Sequence, residues 1–238
     1  MSNITENHLI VSKYIQFNQQ YDVQLLKSEL AIAMALDWKE HFNKNDYDGC
    51  WESISLQSAS GKEDDILANY GVDNYKETAL LKKLPYIKSI LDSWQCPKES
   101  IRLLALHPGA EIKPHRDRGC NYENGVCRIH IPIQTNNGVQ FKVGDEYLTL
   151  NEGTCWYIDF NKTHAITNTG QSVRVHLVID GLRNSWTDEL FSANGYDMAV
   201  EQQEQQMDRE STLRVIEELE RLNTPVSEQL IEELKKNI

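Results

Sequence analysis

From Ile101 to Asp180 the chain reads IRLLALHPGAEIKPHRDRGCNYENGVCRIHIPIQTNNGVQFKVGDEYLTLNEGTCWYIDFNKTHAITNTGQSVRVHLVID. Short apolar runs (IRLLALH, CRIHIPIQ, VQFKV, EYLTL, TCWYID, HAITNT, SVRVHLVID) alternate with breaks (HPGA, NYENG, TNNG, VGDE, NEG, DFNK, NTGQ). β-Branched and aromatic side chains suit a pleated surface, and Gly, Asn, Asp and Pro supply the turn conformations between strands. Strands this short, at a spacing of roughly 8–12 residues, read as a sandwich or small barrel. The form this predicts is mainly β, with a double-stranded β-helix core (a jelly roll of the cupin type) and an open mouth for a ligand.

Outside this stretch the periodicity becomes helical. Leu25, Leu26, Leu30, Ile32, Ala33 and Leu36 recur at helical spacing between Asp22, a suitable N-cap, and Phe42. Trp51–Leu56 alternates as a single strand, and Leu84, Ile87, Leu91 and Trp94 line one face of another helix. Beyond Arg183 the chain is polar, with apolar stripes Val215/Leu219/Leu222 and Val226/Leu230/Leu234 on either side of Thr224-Pro225, an N-cap and first-turn pair. Residues 1–100 are therefore expected to form a helical region packing on the core, with one strand near 51–56. Residues 101–183 are expected to form the jelly-roll core, and 184–238 a C-terminal helical extension. The extension suits a hairpin packed on the barrel, a lid, or a contact between two copies in a homodimer.

Composition narrows the class of function. A chain of 238 residues with 40% hydrophobic content can bury a sizeable core. Its formal net charge of −12 argues against a nucleic-acid surface, which needs Lys and Arg to neutralise phosphates. The acidity lies in the flanks, because residues 101–183 carry nine Lys/Arg against eight Asp/Glu. That near-neutral middle can host anions or zwitterions. No apolar run approaches the ~20 residues of a membrane span, and the N-terminus lacks a basic-then-apolar leader. Five scattered cysteines without a C-x-x-C pair suit reduced thiols in a cytoplasmic protein.

Five of the seven histidines fall between positions 107 and 176. His115-Arg116-Asp117 places an imidazole and a carboxylate two residues apart, on one side of an extended backbone. His164, at the start of another run, offers a third ligand from a facing strand. Two histidines and one carboxylate on one face of a metal leave three adjacent positions open, which Fe(II) needs for a bidentate 2-oxoacid and O₂. A closed four-ligand structural site would leave none. Arg174 lies in Val173-Arg174-Val175-His176, where burial of an unpaired guanidinium would be costly. A dianionic ligand offsets that cost, and so would an internal bridge to Asp159 or Asp180. Arg128 and His130 share a face of CRIHIPI, placed either to meet a carboxylate or to serve the core. His176 suits the cavity or the core, His107 suits a turn, and Trp51, Trp156 and Tyr157 suit either a pocket wall or core packing.

At His107-Pro108-Gly109, His115-x-Asp117, Arg128-x-His130, His164 and Arg174 the sequence resembles the aspartyl/asparaginyl β-hydroxylase family, which includes bacterial proline hydroxylases. The resemblance covers about residues 101–181. It implies an Fe(II)- and 2-oxoglutarate-dependent dioxygenase with iron on His115, Asp117 and His164. It further implies that Arg174 pairs with the distal carboxylate of 2-oxoglutarate, with Arg128 and His130 near its other end and ascorbate as an accessory reductant. The implied substrate is an amino acid: free, carrier-bound or within a peptide. Asp117 and Leu104 depart from the animal peptide-hydroxylating members, which lack that carboxylate and carry a serine. The chain is therefore more similar to the bacterial small-molecule or peptide-tailoring branch. The competing expectation is a non-catalytic cupin-like protein that binds a metal and a 2-oxoacid.

Overall fold

The computed structural model describes residues 12–68 and 74–236. Its strands are β1 Tyr14–Gln20, β2 Lys39–Glu40, β3 Tyr47–Asp48, β4 Trp51–Ser58, β5 Lys76–Glu77, β6 Lys98–Leu106, β7 Glu111–His115, β8 Val126–Gln134, β9 Val139–Val143, β10 Glu146–Leu148, β11 Thr154–Ile158, β12 His164–Asn168 and β13 Arg174–Leu182. They form two antiparallel sheets. The larger runs β1-β11-β8-β13-β6-β4-β2 with β5 on β4, and the smaller runs β10-β9-β12-β7-β3. This is the expected jelly-roll architecture with flanking helices.

The two sheets differ in pattern because they differ in cover. Strands β6, β8 and β13 are buried at nearly every position, so apolar residues occupy both faces instead of alternating, with a few buried charged and imidazole side chains among them. In β12, by contrast, His164, Ile166 and Asn168 are buried while Ala165 and Thr167 are partly exposed, the mark of a strand with one covered face. Leu106, Ile112, Phe141, Val143, Ile158 and Ile166 belong to the core formed by the inward faces.

Helix α1 (Val23–Met34) starts at the expected N-cap, where the Asp22 carboxylate accepts from the Gln24 and Leu25 amides. It is shorter than the periodicity suggested. Leu26, Glu29, Leu30 and Ala33 form its buried stripe, whereas Leu25 and Ile32 are exposed. Helix α2 (Pro85–Ser93) begins with proline, whose missing N–H costs nothing in a first turn. The amides of Tyr86 and Ile87 donate to the two Glu29 carboxylate oxygens at 2.6 and 2.8 Å, so a side chain of α1 caps α2.

The N-terminal region is more β-rich than expected, since β1 to β5 all come from it. In β1 (YIQFNQQ) the inward Ile15 and Phe17 are buried, but Gln and Asn at the alternate positions mask the strand pattern. The sheets are therefore not confined to residues 101–183. One compact unit spans Ser12–Gly195 and takes in helix α3 (Ser185–Ala193), which is closed by an Asn184/Thr187 capping box.

A second unit contains α4 (Met198–Leu222) and α5 (Pro225–Lys235), which contact each other. Thr224 and Pro225 cap and start α5 as the sequence indicated. The buried apolar residues differ from the expected stripes: Ile216 and Ile231 are covered, while Val215, Leu222, Val226 and Leu230 are exposed. No helix of the described residues is long and apolar enough to cross a membrane.

Candidate metal centre

His115 ends β7 and His164 begins β12, and the antiparallel pairing sets the two directly opposite each other. The register slips by one residue between these histidines and the Ile112–Ile166 pair. Pro114, which has no N–H to give the ladder, sits in that slip. Asp117 follows in the turn, where its amide donates to the Phe160 carbonyl at 2.9 Å. The outcome is one cluster: a ligand atom of each of His115, Asp117 and His164 lies within 4.8 Å of the others.

The histidine tautomers suit a metal. Nδ1 of His115 lies 2.8 Å from the Lys113 carbonyl, and Nδ1 of His164 lies 3.1 Å from the Lys162 carbonyl. A carbonyl only accepts, so each Nδ1–H donates, which leaves Nε2 as the ring nitrogen free to face a metal. Burial first, and then the field of His115, lowers His164 to about 4, which keeps it neutral. Burial pushes the Asp117 carboxyl up, but Arg128, His164 and His115 outweigh it and hold it below its ordinary value.

The carboxylate is fixed from behind by a row of buried charges across three adjacent strands. Arg128 Nη1 donates to Asp117 Oδ2 at 2.5 Å. Its Nε and Nη2 grip Asp180 at 2.6 and 3.2 Å, and Arg102 Nη2 donates to the same carboxylate at 3.0 Å. Asp180 stands opposite Arg128 in the β8–β13 register. The sequence reading did not single out Arg102. Its signal was a charged residue inside the apolar run IRLLALH, the same signal that drew attention to Arg174.

Arg174 is 2% exposed, and among the described residues neither suggested bridge forms. Asp180 serves Arg128 and Arg102, while Asp159 lies 3.9 Å from Lys162. Arg174 Nη2 donates instead to His176 Nδ1 at 2.8 Å, and its Nε has no partner. Burial alone lowers the guanidinium to about 9. Because a guanidinium can only donate, His176 Nδ1 is an acceptor, so the 3.2 Å contact between the two Nδ1 atoms requires His130 Nδ1–H. The buried Nε2 of His130, also without a partner, is then a lone pair.

Arg174, His130, Arg128 and the His/Asp/His cluster line one cavity of about 420 Å³. Trp51 also lines it and stacks on His41 at 3.6 Å, a residue that carried no signal in the sequence. The other two candidate aromatics belong to the core. Trp156 Nε1 donates to Thr154 at 2.7 Å, and the Tyr157 hydroxyl accepts from the Tyr122 amide at 2.9 Å. His107 lies apart, with Nε2 at 2.7 Å from the Glu52 carboxylate.

Two imidazoles, a carboxylate and a guanidinium with no carboxylate partner among the described residues, in the mouth of a two-sheeted jelly roll, define a class of proteins built to hold a metal beside an anion. The chain belongs to the aspartyl/asparaginyl beta-hydroxylase family, whose model matches residues 20–184. It is 27% identical over 135 residues to L-proline cis-4-hydroxylase of Rhizobium meliloti (strain 1021), covering 56% of this chain and 48% of that protein. The matched region thus spans about half the length of this curated relative. A 2OG-Fe(II) oxygenase family oxidoreductase from Burkholderia pseudomallei shares the fold, with a TM-score of 0.52 at 11% identity over 78% of this chain and 88% of the other.

Proposed function

We propose that this protein is an Fe(II)- and 2-oxoglutarate-dependent dioxygenase that hydroxylates an amino acid, free, carrier-bound or within a peptide. The observation that carries this reading is the buried Arg174 guanidinium, without a carboxylate partner among the described residues, in the same cavity as His115, Asp117 and His164. His115 Nε2, His164 Nε2 and an Asp117 oxygen would hold the iron. Arg174 would pair with the distal carboxylate of 2-oxoglutarate through a forked, charge-assisted contact that an ammonium cannot reproduce. Iron with this cosubstrate and O₂ supplies the oxidation that inserts one oxygen into an unactivated C–H bond, leaving succinate and CO₂.

The chain's own residues position and shield. Arg128 keeps Asp117 ionised and aimed while it is itself anchored on Asp180. Arg128 and His130, which line the same cavity, would border the metal end of the cosubstrate. With a lone pair at Nε2, His130 would reach a carboxylate only through a bridging water, or would accept directly from a substrate N–H. The similarity to a proline cis-4-hydroxylase makes L-proline the first substrate to test.

Purified protein with Fe(II), ascorbate, 2-oxoglutarate and a panel of amino acids and peptides should form succinate with a substrate mass gain of one oxygen. Metal binding without succinate across the panel would instead mark a non-catalytic binder. His115→Ala and Asp117→Ala should lose turnover and iron while keeping their circular dichroism, and normal turnover in either would remove the ligand assignment. We extend the proposal to a homodimer through the C-terminal helices, because Val215, Leu222, Val226 and Leu230 form an exposed apolar set. Light scattering that reports a monomer at every concentration would discard that extension.

A further inference from the structure

Outside the cavity, a second set of side chains with metal-binding chemistry converges. Cys50, Glu52 and His107 each offer a ligand atom within 4.8 Å of the others, and all three are half-buried. The backbone explains why they meet. Trp51 pairs with Leu106 and Glu52 with Ala105 in the antiparallel β4–β6 register. Continuing that register outward sets Cys50 opposite His107, whose amide donates to the Cys50 carbonyl at 3.0 Å. Directly opposed residues bring their Cβ atoms to about 4.5–5.5 Å. Glu52 shares the face of Cys50 by the two-residue strand repeat, while Trp51 between them turns into the cavity.

We propose that Cys50, Glu52 and His107 form a second divalent transition-metal site, separate from the His115/Asp117/His164 cluster and suited to Zn²⁺. A thiolate, an imidazole and a carboxylate are all established zinc ligands, and three of them leave a fourth tetrahedral position for water. The thiolate distinguishes this site from the first, which offers only nitrogen and oxygen, and shifts its preference toward softer ions. Charge points the same way. Glu40 stands opposite Glu52 in the β2–β4 register, so two carboxylates lie on this stretch of the sheet. An anionic pocket of this kind favours a bound cation, which would in turn deprotonate the thiol. The 2.7 Å contact between His107 Nε2 and Glu52 holds both groups in place until an ion enters.

Cobalt(II) reports the site directly, because thiolate coordination produces an intense near-ultraviolet charge-transfer band that nitrogen and oxygen ligands do not give. The four other cysteines are buried, so Cys50 is the thiol open to the ion. Metal-free full-length protein titrated with Co²⁺ should develop the band to saturation within two equivalents per chain, one for each site, and Zn²⁺ should bleach it. His115→Ala should keep the band. Cys50→Ser should abolish it, and His107→Ala and Glu52→Gln should each weaken the cobalt affinity at least tenfold. By equilibrium dialysis, zinc should fall from two per wild-type chain to one in Cys50→Ser. Absence of the band in wild-type protein overturns the proposal, as does an unchanged affinity in both His107→Ala and Glu52→Gln. Each result is read from the metal itself and is independent of hydroxylase activity.

Discussion

Asp180 is 1% exposed and is the only carboxylate that Arg102 and Arg128 share among the described contacts. Removing its charge takes from two buried guanidiniums the carboxylate they share, while Arg128 keeps Asp117. Breaking a buried pair in this way costs about 3–5 kcal/mol, because the remaining charge is uncompensated. Asp180→Asn should therefore lower the urea midpoint far more than a surface substitution would, and a loss within experimental error would show that water reaches these arginines. Arg174 differs in donating to His176 and to no carboxylate among the described residues, and the counter-charge we propose for it is a ligand. Arg174→Ala should weaken 2-oxoglutarate by ~2–5 kcal/mol in calorimetric titration, with Arg174→Lys also poor. Unchanged affinity would mean that the cosubstrate lies elsewhere. The contrast marks how far the site was legible in the sequence. His115, Asp117, His164 and Arg174 stood out because ligand residues at period two and a charge inside an apolar strand are local signals. That Asp180 belongs to Arg128 and Arg102, and not to Arg174, depends on which strands are neighbours, and no local spacing encodes that.

At the scale of elements, strands with strong apolar runs were legible, and β6, β8, β11, β12 and β13 lie where the pattern put them. Strands β2, β3 and β5 are two residues long and have no period to read. Their existence follows from neighbouring strands already being in place. Strand β1 was hidden by Gln and Asn on its outer face. Helix pairing was hidden in the same way, since Glu29 in the middle of α1 looks like a solvent-facing residue until α2 arrives at its carboxylate. Charge-assisted bonds from two amides at a helix start should be worth about 1.5–3 kcal/mol. Glu29→Ala should thus destabilise the fold by about that amount, whereas Glu29→Gln, with one acceptor oxygen, should fall between it and wild type. Turnover should be unaffected in both, and equal stability of all three proteins would remove the capping role.

At the scale of the molecule, Ser12–Gly195 forms one compact unit that contains every strand of the described residues and the residues that line the cavity. A chain ending at Gly195 should therefore unfold cooperatively and still bind iron, and loss of iron binding would tie the C-terminal helices to the site. The interior of that unit also sets how the protein responds to acid. Burial lowers His164 to about 4 and His41 to about 3, and it pushes His130 and His176 well below 6.5. Each of these is neutral when folded and takes a proton in the unfolded chain below about pH 6.5. The unfolded state then binds more protons, so stability falls as pH drops from about 6.5 toward 4, by roughly 1.4 kcal/mol per pH unit for each histidine in its window. Asp159, whose carboxyl burial raises, opposes this with one proton. Four histidines against one carboxyl leave a net loss. The urea midpoint of the metal-free protein should accordingly decline steadily between pH 7 and 5, before ordinary carboxylates begin to titrate. His176→Gln should make that decline shallower, whatever its effect on stability at pH 7. A midpoint that stays level across the interval would mean that these imidazoles accept protons in the folded state, and that the cavity is wetter than its packing implies.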